Sequence, residues 1–135
     1  MRYGIVCLFV LLASLGLDAQ VETSTDKKTS SGVPKITFKE NNFELGDVRL
    51  GETRALEYEF TNTGTDTLII ELVTSCHCTE IDWPNSPMAP GDQSTIKVTY
   101  DSTGQKLGDV QKVIDIISNT DPIVVEAFFS VTVVE

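Results

Sequence analysis

The 135-residue chain holds one His, one Trp, three Cys and two Met, and sets only 10 Lys and Arg against 20 Asp and Glu. Each shortage removes a class of function. A formal net charge of −10 repels nucleic-acid phosphates and anionic lipid, so neither is expected as a partner. No Gly-rich run opens a helix, which takes away the usual phosphate cradle. There is no internal repeat, no apolar stripe at helical spacing, and no continuous apolar run of the ~20 residues that a spanning helix needs. The length admits about one domain, which argues against a multidomain enzyme. With 41% hydrophobic and 22% charged residues, that domain can bury an ordinary core.

What is present begins with Arg2 and an apolar run from Ile5 to Leu17, interrupted by Ser14 and Gly16. The run is too short to span, and Ala19 before Gln20 suits a signal-peptidase cut. Residues 1–19 are therefore expected to be a signal peptide, and the mature chain to be exported, periplasmic or secreted, with no membrane span after cleavage. Cys7 lies inside the segment to be removed and cannot serve as a lipid-attachment site. Cleavage takes away Arg2 and Asp18, one charge of each sign, so the anionic excess persists. Residues 20–34 are mostly Thr, Ser, Lys and Asp and read as a flexible polar linker.

From Lys35 the period changes to two. Ile36 and Phe38, then Leu56, Tyr58 and Phe60, then Ile96, Val98 and Tyr100 alternate with polar residues, which gives each segment one apolar and one wet face. Further apolar runs cover Leu68–Val73, Thr79–Trp83, Val110–Ile117 and Ile123–Val134, separated by Gly-, Pro- and Asn-containing connections. Seven or eight short strands at roughly ten-residue intervals predict an all-β, immunoglobulin-like antiparallel sandwich over residues 35–135. Leu56, Tyr58, Phe60, Ile96, Val98, Tyr100, Ile114 and Ile116 are expected inward. The last run, dense in Val and Phe, reads as a central strand or as an interface strand. Asn62 and Gly64 are expected to supply positive φ to a tight connection, Pro90-Gly91 the centre of a type II turn, and Gly46 and Gly51 to bracket a bend.

The ordered set Phe43-Glu44-Leu45-Gly46-Asp47-Val48, Gly51-Glu52, Phe60-Thr61-Asn62-Thr63-Gly64, Leu68-Ile69-Ile70, Ser75-Cys76-His77-Cys78-Thr79, Pro90-Gly91-Asp92 and Ser118-Asn119 resembles the domain of unknown function family 1573. The resemblance covers about residues 36–132. It implies an exported sandwich, similar to the domains related to major sperm protein and to cilium-associated repeats, and implies no enzyme activity. The family usually has Gly between the two cysteines, where this chain has His77.

The candidate chemistry is confined to Cys76, His77 and Cys78. Two cysteines in an exported chain make a disulfide the first hypothesis. Residues two apart on an ideal strand lie roughly 6.6 Å apart, near the upper edge of the ~4.4–6.8 Å Cα range for disulfides, so a bond requires a turning backbone. A loop this small restrains the unfolded chain little, which suits a redox role better than a staple. The same residues offer two thiolates and an imidazole to reduced copper. Zinc fits less well, since the mature chain has no fourth Cys or His ligand. Two buried or partly buried thiols or an intrachain bond of structural role, and an intermolecular disulfide, complete the alternatives. No carboxylate pair has the spacing of an acid and base, and Glu57 and Glu59 share a solvated strand face. The function expected is a non-enzymatic domain without cofactor that binds a protein or a cell-envelope component. The alternative is a copper-binding or thiol redox protein using Cys76 and Cys78.

Overall fold

The computed structural model describes residues 32–135. The expected signal peptide and residues 20–31 of the expected linker lie outside the described residues. Eight strands follow in order: β1 (Ile36–Phe38), β2 (Asn42–Arg49), β3 (Thr53–Asn62), β4 (Ile70–Thr74), β5 (Thr79–Asp82), β6 (Gln93–Asp101), β7 (Gly108–Ser118) and β8 (Val124–Val134). They form two four-stranded sheets, β1-β3-β6-β5 (sheet A) and β2-β8-β7-β4 (sheet B), closed face to face as an immunoglobulin-like sandwich.

Alternation builds sheet A. In the antiparallel register of β3 and β6, Leu56 faces Val98 and Tyr58 faces Ile96, while Glu57 faces Lys97 on the wet side. A one-residue slip would turn all these side chains over, so the pattern fixes the register. All eight side chains expected inward are buried in one core with Ala127, Phe129, Val131 and Val133 of β8; six of them come from sheet A, and Ile114 and Ile116 come from β7, beside β8 in sheet B. Rings cross the core edge to face, Tyr100 against Phe129 at 5.4 Å and Phe43 against Tyr58 at 5.0 Å between centroids. The contact is favourable because a ring's positive edge meets a negative face.

Three features differ from the sequence reading. The region around Phe43–Val48 forms a full strand, β2, and this strand runs parallel to β8, so sheet B is mixed rather than wholly antiparallel. Gly46 adopts φ +68°, and the register of β2 shifts between Glu44 and Asp47, which is a bulge. Gly51 turns the chain from β2 into β3 with φ +92°.

The second difference concerns Asn62 and Gly64. Asn62 is the last residue of β3, fully buried, and acts through its side chain. Its Oδ1 accepts from the amides of Lys35 (3.3 Å) and Gly64 (3.0 Å), and its Nδ2 donates to the carbonyls of Asp66 (2.8 Å) and Met88 (3.0 Å). It pins three chain segments with one amide. Gly64 is not among the positive-φ glycines; it is needed because the 33–35 segment passes so close that a Cβ would meet Lys35 N at 2.5 Å. Residues 32–34, the described end of the expected linker, are tied down there: Val33 O accepts from Thr65 N at 2.9 Å, and Pro34 is buried. Pro90-Gly91 does form the expected turn, with Gly91 at φ +88° and Asp92 N bonded to Ala89 O at 3.0 Å.

The third difference is the β4 bulge between Ile70 and Leu72, which places Ile70 and Val73 inward and leaves Leu72 outside.

Candidate functional site

β4 is the outer strand of sheet B and β5 the outer strand of sheet A, and they are consecutive in the chain. The Cys-His-Cys segment is the connection that carries the chain from one sheet edge to the other. Its backbone turns: Thr79 N and Thr79 Oγ1 both donate to Cys76 O, at 3.2 and 2.9 Å. Asp101 N donates to Cys78 O at 2.8 Å, and Ser75 Oγ donates to Val113 O at 2.6 Å, which anchors the turn to β6 and β7. This turn brings the Cα atoms of Cys76 and Cys78 to 5.1 Å, within disulfide range, and their sulfurs are in direct contact.

His77 is exposed at the crest of the turn. The two sulfurs face each other instead of converging with the imidazole on a common centre, and no group of three or more His, Cys, Asp or Glu side chains that could hold a metal is found among the described residues. Two surface depressions flank the turn. One, of about 320 Å³, opens between β4 and β5 and is lined by Cys76 and His77 together with Val73, Ile81 and Trp83. The other, of about 240 Å³, is lined by His77 and Cys78 with Thr53, Glu80, Thr99 and Asp101. Cys78 also leans on the core. The hydroxyl and amide of Thr103 hydrogen-bond the Asp101 carboxylate and hold its pKa below the ordinary value, so the Cys78 side of the turn is anionic. The cysteine pair was legible in the sequence; its apolar neighbours Val73, Ile81 and Trp83 were not assigned to it, because their nearness comes from the closure of the sandwich.

A second surface lies on the outer face of sheet B. Leu72 of β4, Ile117 of β7 and Val124 of β8 stand side by side across three strands. Leu72 and Val124 are exposed, as are Ile69 and Ile123 beside them. The next row is Thr74, Asp115 and Glu126. The sequence signal is the breakdown of alternation in Val113-Ile114-Asp115-Ile116-Ile117 and Val124-Val125, where both faces carry apolar residues. Glu57 and Glu59 are solvent-exposed on sheet A, as expected.

The fold defines an immunoglobulin-like β-sandwich domain, with a cysteine-bearing turn between two sheet edges. The chain belongs to the family described as protein of unknown function (DUF1573), which matches residues 36–133. It is similar in structure to a protein of unknown function from Porphyromonas gingivalis W83, with a TM-score of 0.62 and 19% identity, over 75% of this chain and 46% of that one. It is likewise similar to the ASH / PapD-like domain 7 of human CEP192 (TM-score 0.60, 12% identity, 76% of this chain and 87% of that one). The secreted serine protease VesC from Vibrio cholerae contains a similar region (TM-score 0.58, 18% identity, 73% of this chain and 23% of that one). The chain thus spans less than half the length of the P. gingivalis protein and about a quarter of VesC. No curated protein matched. Among the described residues no helix is long and apolar enough to cross a membrane.

Proposed function

We propose that this chain is an exported, non-enzymatic binding domain that docks a partner protein on the outer face of sheet B, beside the free edge of β4. The observation that carries this reading is the cross-strand apolar row Leu72–Ile117–Val124, extended by exposed Ile69 and Ile123. Scattered exposed apolar residues need no explanation, but a contiguous row next to an unpaired strand edge is an association surface. The flanking row with Asp115 and Glu126, and the net charge of −10, select a partner whose apolar strip is bordered by Lys or Arg. Export rests on the sequence of residues 1–19.

A photo-crosslinking side chain at position 72 or 124, introduced in producing cells, is expected to yield one adduct of defined mass that a Leu72→Glu/Ile117→Glu variant with unchanged circular dichroism no longer forms. The same probe at Glu57, on sheet A, is expected to yield none. Equal labelling from both sheets overturns the docking assignment. An adduct of twice the protomer mass replaces a foreign partner with a second copy of this chain.

A further inference from the structure

Cys76 and Cys78 are two residues apart, so a bond between them removes little freedom from an unfolded chain, and the turn that carries them is already held by Thr79, Asp101 and Ser75 without help from sulfur. A cross-link with so little to stabilise sits at a partly exposed position, open to solvent on two sides. We propose that Cys76 and Cys78 form a reversible dithiol–disulfide site that exchanges with a cysteine thiol carried in a basic peptide segment.

The two sulfurs are not equivalent. Cys76 borders a depression lined by Val73, Ile81 and Trp83 together with Thr74, Ser75 and Thr79, with no carboxylate among its lining residues, whereas Cys78 leans on the core and shares its depression with Glu80 and Asp101. An incoming thiolate is repelled from the carboxylate side and reaches Cys76 Sγ from between β4 and β5. The attacking sulfur bonds to Cys76 Sγ, the Cys76–Cys78 bond breaks, and Cys78 leaves with the electron pair and takes up a proton from water. A second thiol attacks the external sulfur of the mixed disulfide. The two thiols are thereby oxidised to one disulfide, and the protein gains two electrons and two protons as a dithiol. The reverse sequence oxidises the protein. Because hydrogen bonds keep the reduced turn in place, the two thiols remain close and the bond re-forms without refolding.

Charge sets the preference among thiols. With Glu80 and Asp101 at the turn and a net charge of −10, a cationic thiol is enriched at the site and an anionic one depleted, by about tenfold in rate at low salt.

The test uses the oxidised full mature chain and two short peptides, one with Lys and one with Glu on either side of a single Cys, compared at equal thiolate concentration. Acid-quenched mass spectrometry is expected to show the mixed disulfide at Cys76, to show it forming about tenfold faster with the Lys peptide, and to show this ratio collapsing toward one in ~1 M salt. Trp83, the sole Trp, lines the same depression as Cys76, and its emission should change on reduction while far-ultraviolet circular dichroism stays constant. A Cys78→Ser chain, given the Lys peptide as its symmetric disulfide, should release one peptide thiol and hold the mixed disulfide at Cys76 without resolving it. The proposal is overturned if neither peptide, nor excess dithiothreitol, opens the bond below the unfolding transition, or if adducts form chiefly at Cys78. Equal rates for the two peptides at low salt overturn the charge preference. The docking surface on sheet B is probed at residues that take no part in this exchange, so failure of either assignment is read separately.

Discussion

Replacing Asn62 by Ala should be among the most damaging single changes available outside the apolar core. The amide satisfies two acceptors and two donors in three segments, and the bond to Met88 O is buried while the other three lie nearer solvent. Met88 O keeps a second donor, Leu68 N at 2.8 Å, so no carbonyl is stranded, and the loss is four bonds at about 0.5–1 kcal/mol each. The sum is about 3 kcal/mol. With a urea slope of about 1.2 kcal/mol/M for a domain of this size, the midpoint should fall by about 2.5 M. Asn62→Asp is the informative companion. It keeps the acceptor toward Lys35 and Gly64, but sets a carboxylate against the carbonyls of Asp66 and Met88, so at neutral pH it should cost at least as much as Ala. It should recover part of that loss below about pH 4, where a protonated carboxyl regains a donor. Equilibrium urea unfolding, followed by Trp83 emission, measures all three chains. An Asn62→Ala midpoint within about 0.5 M of the parent would refute the claim that this side chain pins three segments.

Other outcomes follow from the same geometry. Tyr58 donates to Phe128 O at 2.8 Å, whereas Tyr100 Oη is buried with no hydrogen-bond partner among the described residues, so Tyr58→Phe should cost about 1 kcal/mol and Tyr100→Phe nothing or a small gain in urea unfolding. Burial raises the Tyr58 pKa well above its ordinary 10.0, and burial followed by the Asp101 charge raises that of Tyr100. The unfolded chain therefore loses these protons first. Stability should be intact below about pH 10 and fall above it, and the Tyr58→Phe chain should show a shallower alkaline loss. Gly64→Ala drives a methyl into Lys35 N and should cost more than about 2 kcal/mol, with faster hydrogen exchange at the Thr63 and Thr65 amides, which bond Lys35 O and Val33 O. Gly91→Ala meets no atom within 4 Å and carries only the penalty of its +88° φ, about 1 kcal/mol. Terminal sequencing of exported protein is expected to begin at Gln20.

The strands that could be read from the sequence are those whose apolar positions keep one parity. β3 and β6 place Leu56, Tyr58, Phe60 and Ile96, Val98, Tyr100 at strict intervals of two, and each of those side chains is buried. β2 does not keep parity: its inward residues are Phe43, Leu45 and Val48, because the bulge at Gly46 inserts one residue and inverts the phase. Periodicity cannot see a strand whose phase changes midway. β4 repeats the effect with Leu68, Ile70 and Val73. Asn62 is legible as a special position, but a local rule about positive φ does not reveal a side chain two of whose four partners lie 27 and 26 positions away. The site divides in the same way. Two cysteines two positions apart announce themselves, whereas the depression that joins Cys76 to Ile81 and Trp83 needs the closure of the sandwich, and the row across Leu72, Ile117 and Val124 needs three paired strands.

The placement of β8 bears on how the domain comes into being. It stands in the interior of sheet B, and β2 and β7 meet only through it. Its pairing with β2 joins Asn42 to Phe128, a separation of most of the domain. Sheet A needs nothing beyond Asp101, so it can assemble before residues 102–135 have been added to the chain. Sheet B must wait for residues 124–134. Until they arrive, the inner face of sheet A has no lid, and such long-range closure is intrinsically slow. A newly delivered chain thus passes through a half-built state with Tyr58, Ile96 and Tyr100 facing water, and during that interval holdase chaperones and proteases would compete for it.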